Sequence, residues 1–373
     1  MSGFPIGRIA GIPLRVNWTV IIIVLLVGVG LASGGLPSEY PGHSAAVYAL
    51  CGVIAAVALV LSILAHEIAH SIVARRNGIG VSGITLWMFG GVSRLSSTGR
   101  TPGMEFRIAG AGPFTSFLLG VIALGVGGVI VGAAGNSIVA GVFIWLGITN
   151  VTLAVFNLLP GAPLDGGRLL RALVWRFRGD PQRAQILAAR AGTGLGLLLV
   201  AGGIVEVFTG LGASGVWLVL LGWLLIGSAQ SEERQADIET RLRGVPVSQV
   251  MVQDPPVVPA WLTLDAFIAS AVLSHSLRAF PIADEAGRLT GLVTLAQVRA
   301  VPRAGWGTTR LRDIACALDD VAVARPDEPV TELLSRFTDC SAGHAPVVVD
   351  GRVVGLVTPE AIERRAGLVS RPA

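Results

Sequence analysis

Lysine is absent from this chain: all 28 basic residues are arginine, and charged residues of both signs fill only 14% of its 373 positions. An average soluble domain carries about 25% charged residues. With 52% hydrophobic residues and a mean hydropathy of +0.70, much of the chain must lie in lipid. The missing lysine accompanies abundant Arg, Ala, Gly and Val, which reads as a coding bias rather than a nucleic-acid-binding surface. No nucleic-acid partner is expected. The net charge of +4 is modest, and membrane proteins carry such charge as cytoplasmic flanks. Cysteine is also scarce. Cys51, Cys316 and Cys340 show no CxxC spacing, which argues against a disulfide framework or a thiolate metal site; reduced, structural cysteines are expected.

Long apolar runs dominate what is present. Residues 18–31 follow Arg8 and Arg15 and precede a Gly/Ser/Pro-rich stretch at 33–42. Leu31-Ala32-Ser33 resembles a leader cleavage site, but a retained span fits the later topology better. Residues 45–74 suffice for a full crossing of about 20 residues, and Arg75 and Arg76 end the run. Further runs cover 109–134, 137–159, 191–208 and 216–226, with Arg168, Arg171, Arg176 and Arg178 clustered after the fourth. Six spans with arginines at these places put both termini in the cytoplasm. Between spans two and three, residues 80–97 are rich in Gly and β-branched residues without a helical period. This predicts a membrane-inserted β-hairpin turning at Gly90-Gly91, beside protein or a watery cavity, because non-helical backbone is tolerated only there.

At Ser231 the composition changes to a charged linker, residues 231–245, and everything beyond looks soluble. Gly291-Leu292-Val293-Thr294 recurs as Gly355-Leu356-Val357-Thr358, and Phe280-Pro281-Ile282 recurs as Ala345-Pro346-Val347. This offset predicts two compact β-α-β-β-α units of about 60 residues each, at 246–304 and 305–367, packed as a pair after a membrane part at 1–230. The fold class is therefore a polytopic α-helical membrane protein with a cytoplasmic α/β tandem module.

The chemistry begins at His66-Glu67-Ile68-Ala69-His70, near the end of the second run. Three ionisable side chains in hydrocarbon are costly unless a partner takes them up. Two His at i and i+4 share a helix face, and Glu67 stands beside them as a general base. That arrangement asks for a metal. His66 lies nine residues before Arg75, roughly 14 Å inside the boundary at a rise of 1.5 Å per residue. Catalytic zinc usually takes three protein ligands, so a third donor is required. Asp165 sits in Asn157-Leu-Leu-Pro-Gly-Ala-Pro163-Leu-Asp165-Gly-Gly, where prolines break the helix and glycines permit close backbone approach. Glu206 is a competitor without such turn chemistry. His43, His275 and His344 read as ordinary surface or core histidines.

HEIAH in one span and NLLPGAPLDGG in a later one resemble the site-2 protease family of intramembrane zinc metalloproteases. The tandem repeat resembles a pair of cystathionine-β-synthase (CBS) domains, which marks a bacterial and archaeal subgroup. The resemblance implies one zinc ion on His66, His70 and Asp165, with Glu67 as general base. It places Asn157 on the substrate strand or oxyanion, with Pro163 matching the Pro before the Asp, and it gives Gly90 and Gly91 to a sheet that presents substrate. A single-span membrane protein is the implied substrate: an anti-sigma factor, a tethered pro-sigma factor or a remnant signal peptide. CBS pairs bind adenine nucleotides and self-associate, which makes a homodimer an expected partner arrangement. The ribose-holding Asp three residues after a Thr is replaced here, by Gln297 after Thr294 and by Ala361 after Thr358. Two other readings remain open: a CBS-gated metal or ion transporter, and a catalytically idle membrane scaffold.

Overall fold

The computed structural model describes residues 3–9, 11–87, 90–95, 99–210, 214–272, 277–334, 336–338 and 340–367. His275 lies outside the described residues. Two compact units divide the chain at Ala236/Asp237.

In the first unit, six helices are long and apolar enough to cross a membrane among the described residues. The first crossing, Val20–Glu39, comprises α1 (Val20–Gly30), a π-helical turn Leu31–Gly35 and α2 (Leu36–Glu39). It is followed by α3 (Ala45–Arg76), α4 (Pro102–Ala134) and α5 (Ile138–Asn157). A shorter helix, α6 (Asp165–Arg178), precedes α7 (Pro181–Thr209) and α8 (Gly215–Leu242). Local chemistry sets the helix starts. Ser44, Thr101 and Ser137 accept from the backbone N–H three residues on, and Asp180 caps α7 ahead of Pro181, which satisfies donors that have no intrahelical partner. Arg75 and Arg76 occupy the last turn of α3, where cations complement the helix dipole.

A four-stranded sheet accompanies these helices, in the order β1 (Phe4–Ile9), β2 (Ile12–Val16), β3 (Val81–Trp87), β4 (Gly90–Leu95). Its first two strands were not expected. Ile12, Leu14, Ile84 and Leu86 alternate inward and pack against Val20 of α1 and against Val60, Leu64 and Ile68 of α3. Burial of this face holds β3 and β4 alongside the HEIAH helix. The expected turn at Gly90-Gly91 is corrected: Trp87 pairs with Gly90 and Leu86 with Gly91, so both glycines are the first residues of β4. The connection, residues 88–89, lies outside the described residues.

The second unit contains two sheets. One runs β10 (Ala345–Val349), β11 (Arg352–Val357), β5 (Met251–Gln253); the other runs β6 (Val258–Pro259), β7 (Ala279–Ala283), β8 (Leu289–Thr294), β9 (Cys316–Ala317). Short helices α9 (Leu264–Phe267), α10 (Leu295–Ala300), α11 (Leu311–Ile314), α12 (Val330–Leu334) and α13 (Pro359–Arg365) complete it. The repeats are not separately compact. The opening strand of each, β5 and β9, pairs with the last strand of the other repeat's sheet. The repeated Gly of GLVT permits this exchange: a Cβ on Gly291 would overlap the Cys316 carbonyl, and one on Gly355 would overlap Met251. The expectation of reduced cysteines is corrected as well. Cys316 and Cys340 form a disulfide, with Cα atoms 6.0 Å apart across 24 residues of sequence. Strand exchange carries Cys316 to the segment just ahead of β10, a proximity that Cys spacing does not reveal.

Candidate metal centre

HEIAH lies in the C-terminal third of α3, and His66 and His70, four residues apart, stack on one face with ring centroids 4.8 Å apart. The chain breaks after Asn157, and α6 begins at Asp165. Pro160 and Pro163 prevent continuation of the helix, while Gly166 and Gly167 pack directly on the backbone of Leu159 and Ala162. This turn delivers Asp165. Its Oδ2 stands 3.1 Å from His66 Nε2 and 3.2 Å from His70 Nε2, and the two Nε2 atoms are 3.1 Å apart.

The outer nitrogens fix what those inner atoms can do. His70 Nδ1 donates to the Ile108 carbonyl at 2.6 Å, and a carbonyl can only accept, so the His70 Nε2 lone pair faces inward. His66 Nδ1 meets Ser116 Oγ at 2.9 Å, which allows the same tautomer. Three acceptors then converge on one point in a buried place, an unfavourable arrangement that a cation resolves. The spacing fits. Tetrahedral zinc with bonds of about 2.0–2.1 Å separates its donors by roughly 3.3 Å. Gly112 of α4 keeps the space clear, because a Cβ there would overlap His70 Nε2 and lie 2.5 Å from His66 Nε2.

Glu67, next to His66 on α3, reaches β4. Its Oε2 accepts from Ser93 Oγ at 2.8 Å, and Ser93 Oγ in turn accepts from Ser71 at 3.2 Å. A Cβ on Gly91 would overlap Glu67 Cγ. The predicted glycine pair therefore sits at α3, with Gly91 in contact with Glu67 and Gly90 one residue before it. Asn157 closes α5 and donates from Nδ2 to the Leu153 carbonyl at 3.0 Å; Pro163, exposed, follows a cis peptide two residues before Asp165. Both belong to the segment that delivers Asp165, and their hydrogen bonding is local. Glu206, the competing carboxylate, accepts from Ser214 at the far end of α7 and takes no part. His43 contacts Tyr48, and His344 Nδ1 bonds the Ser341 carbonyl at 3.1 Å.

Four contributors went unread in the sequence: the Ile108 carbonyl, Gly112, Ser116 and Ser93. The first three lie at spacings of four residues on α4, so one face of the helix lines the site. A Gly and a Ser at that spacing within an apolar run were the available signal. In the second unit, Thr294 and Gln297 bond each other in a capping box, and the Thr358 hydroxyl accepts from Ala361 N–H at 3.2 Å.

The model of peptidase family M50 matches residues 54–134 and 125–201, and that of the CBS domain matches residues 311–366. Rip3 of Mycobacterium tuberculosis is 44% identical over 97% of this chain and 92% of its own length. Zinc metalloprotease MJ0392 of Methanocaldococcus jannaschii is 25% identical over 97% of this chain and 95% of its own. Among solved structures, the site-2 protease from Methanocaldococcus jannaschii aligns with 62% of this chain and 95% of its own, at 27% identity and a TM-score of 0.42. Matching family models, a mycobacterial relative alike along nearly its whole length and a buried His/His/Asp cluster able to hold a metal agree: the chain belongs to peptidase family M50, as a prokaryotic multi-pass membrane zinc metalloendopeptidase with a CBS pair.

Proposed function

We propose that the protein hydrolyses a peptide bond within the transmembrane segment of a single-span protein, near the cytoplasmic side of the bilayer. The observation that carries this is β4, the edge strand of its sheet among the described residues, which lies against Glu67 beside the His66/His70/Asp165 cluster. His66, His70 and Asp165 hold the zinc in this reading. When bound, zinc supplies Lewis acidity, which brings the ionisation of water towards neutral pH and polarises a carbonyl. Glu67 then acts as general base: it takes the proton from the attacking water and later delivers it to the leaving amine. Ser93, donating to Glu67 Oε2, holds the carboxylate in one orientation.

A substrate helix has its carbonyls engaged in hydrogen bonds and must unwind before attack. An extended segment added to β4 exchanges those bonds for sheet bonds, which offsets the cost of exposing backbone in the membrane. Asn157 is assigned to the substrate strand or the oxyanion, and Pro163 to shaping the turn before Asp165. Arg75 and Arg76 at the end of α3, with the arginines of α6, favour cytoplasmic termini and a cytoplasmic second unit. In this reading the membrane domain spans 1–230, the linker 231–245 and the CBS repeats 246–304 and 305–367. The repeats serve self-association in preference to adenine-nucleotide capture, because Gln297 and Ala361 replace the ribose carboxylates while both Thr hydroxyls act as helix caps.

The test uses detergent-purified protein, metal analysis and single-span substrates. Wild type should bind one zinc and cleave; Glu67→Gln should retain zinc and lose cleavage; Asp165→Ala should lose zinc. A transporter or an inert scaffold predicts no cleavage by wild type, and unchanged zinc in Asp165→Ala would end the ligand assignment.

A further inference from the structure

Glu105 has no place in either sequence motif and is fully buried in the first turn of α4. Its Oε1 accepts from Arg168 Nε at 3.0 Å and lies 3.9 Å from Arg171 Nη1, while Oε2 accepts from the Gly99 N–H at 2.9 Å. Arg168 is three residues after Asp165 on α6, within the same turn. The remainder of that α4 face is the wall of the metal centre: the Ile108 carbonyl accepts a hydrogen bond from His70 Nδ1, Gly112 makes room for both imidazoles, and Ser116 meets His66. Glu105, Ile108, Gly112 and Ser116 follow one another at three, four and four residues, a single stripe on a helix.

We propose that Glu105 is a positioning residue for the zinc site, keying the helix that carries Asp165 to the helix that orients both histidines. The three donors come from two elements, α3 and α6, and α4 is the element that touches both. Apolar packing, with Leu169 of α6 beside Gly110 of α4, already brings the two helices together; the Glu105–Arg168 bond adds a directed link that resists sliding of the α6 turn and of Asp165 with it. A buried ion pair is poor evidence of a stabilising role, because apolar residues of similar size often serve stability as well or better; fixing register is its better-attested use. Among the described residues, the ion pairs of Arg168 and Arg171 are both with Glu105. What Glu105 supplies beyond that packing is a directed, charge-assisted attachment of α6 to α4.

This inference rests on the zinc assignment of His66, His70 and Asp165. The experiment measures zinc affinity of the full-length protein in detergent by competition with chelators, with circular dichroism as the control for folding. Glu105→Gln should weaken zinc about 10- to 100-fold, the usual effect of losing an outer-shell partner, with helix content unchanged. In an Asp165→Asn background the same substitution should have no further effect on zinc, since its action runs through Asp165. An unchanged affinity in Glu105→Gln, or an equal loss in the Asp165→Asn background, overturns the proposal. Should Glu105→Gln fail to fold, Arg168→Lys decides: it keeps the charge and loses the directed Nε bond, so weakened zinc supports the proposal and wild-type affinity refutes it. Failure of the underlying assignment reads differently, as undiminished zinc in Asp165→Ala.

Discussion

At the residue scale, the centre depends on what is small as much as on what coordinates. His66, Glu67 and His70 announce themselves by their cost in an apolar run, and Asp165 by the prolines and glycines around it. Gly112 has no comparable signature, yet any side chain there fills the space that two Nε2 atoms share. Gly112→Ala is therefore expected to abolish stoichiometric zinc while leaving helix content intact, as metal analysis and circular dichroism of the purified variant would register. Ser116 and the Ile108 carbonyl were equally silent in sequence, because backbone acceptors have no letter and serine is ordinary in a span. Their role emerges only once α4 is seen to pack on the face that carries both histidines.

At the scale of elements, helix existence was legible and sheet membership was not. Hydropathy located six runs, and capping residues set where their helices begin. The hairpin was also visible, from glycine and β-branched residues without a helical period. Its turn was misplaced because a Gly-Gly pair reads as a turn locally, whereas here close approach to Glu67 demands a glycine inside a strand. β1 and β2 escaped notice because β2 joins β3 in parallel from a segment some 70 residues earlier, a pairing no local pattern encodes. If substrate adds to β4, loosening the β3–β4 ladder should impair cleavage without disturbing the metal. Trp87→Pro removes a backbone donor at the last pair of that ladder. It should reduce cleavage at least tenfold with one zinc retained; cleavage at the wild-type rate would remove the strand-addition model.

At the scale of the whole molecule, the two units obey different solvents. The first sets six helices apolar enough to cross a membrane beside one four-stranded sheet among the described residues, whereas the second has buried apolar cores beneath short strands. Within the second unit the repeats are interlocked by strand exchange, and the Cys316–Cys340 bond, inside the second repeat, ties β9 to the segment ahead of β10. Closing a loop of this length in the unfolded chain is worth about 2–4 kcal/mol. Cys316→Ser should therefore lower the unfolding midpoint of this unit relative to the oxidised wild type, and the two should converge once a dithiol reductant is added. A midpoint indifferent to both changes would show the bond to be thermodynamically idle. By itself the sequence determined the membrane class, the metal-binding residue types and the repeat, because solvent preference and helix periodicity act over a few neighbouring residues. Only the tertiary structure decided that one face of α4 lines the histidines, that Glu67 answers to Ser93, that the repeats trade strands and that two distant cysteines join. Each of these is a contact between segments far apart in the chain, and its position depends on how whole elements pack.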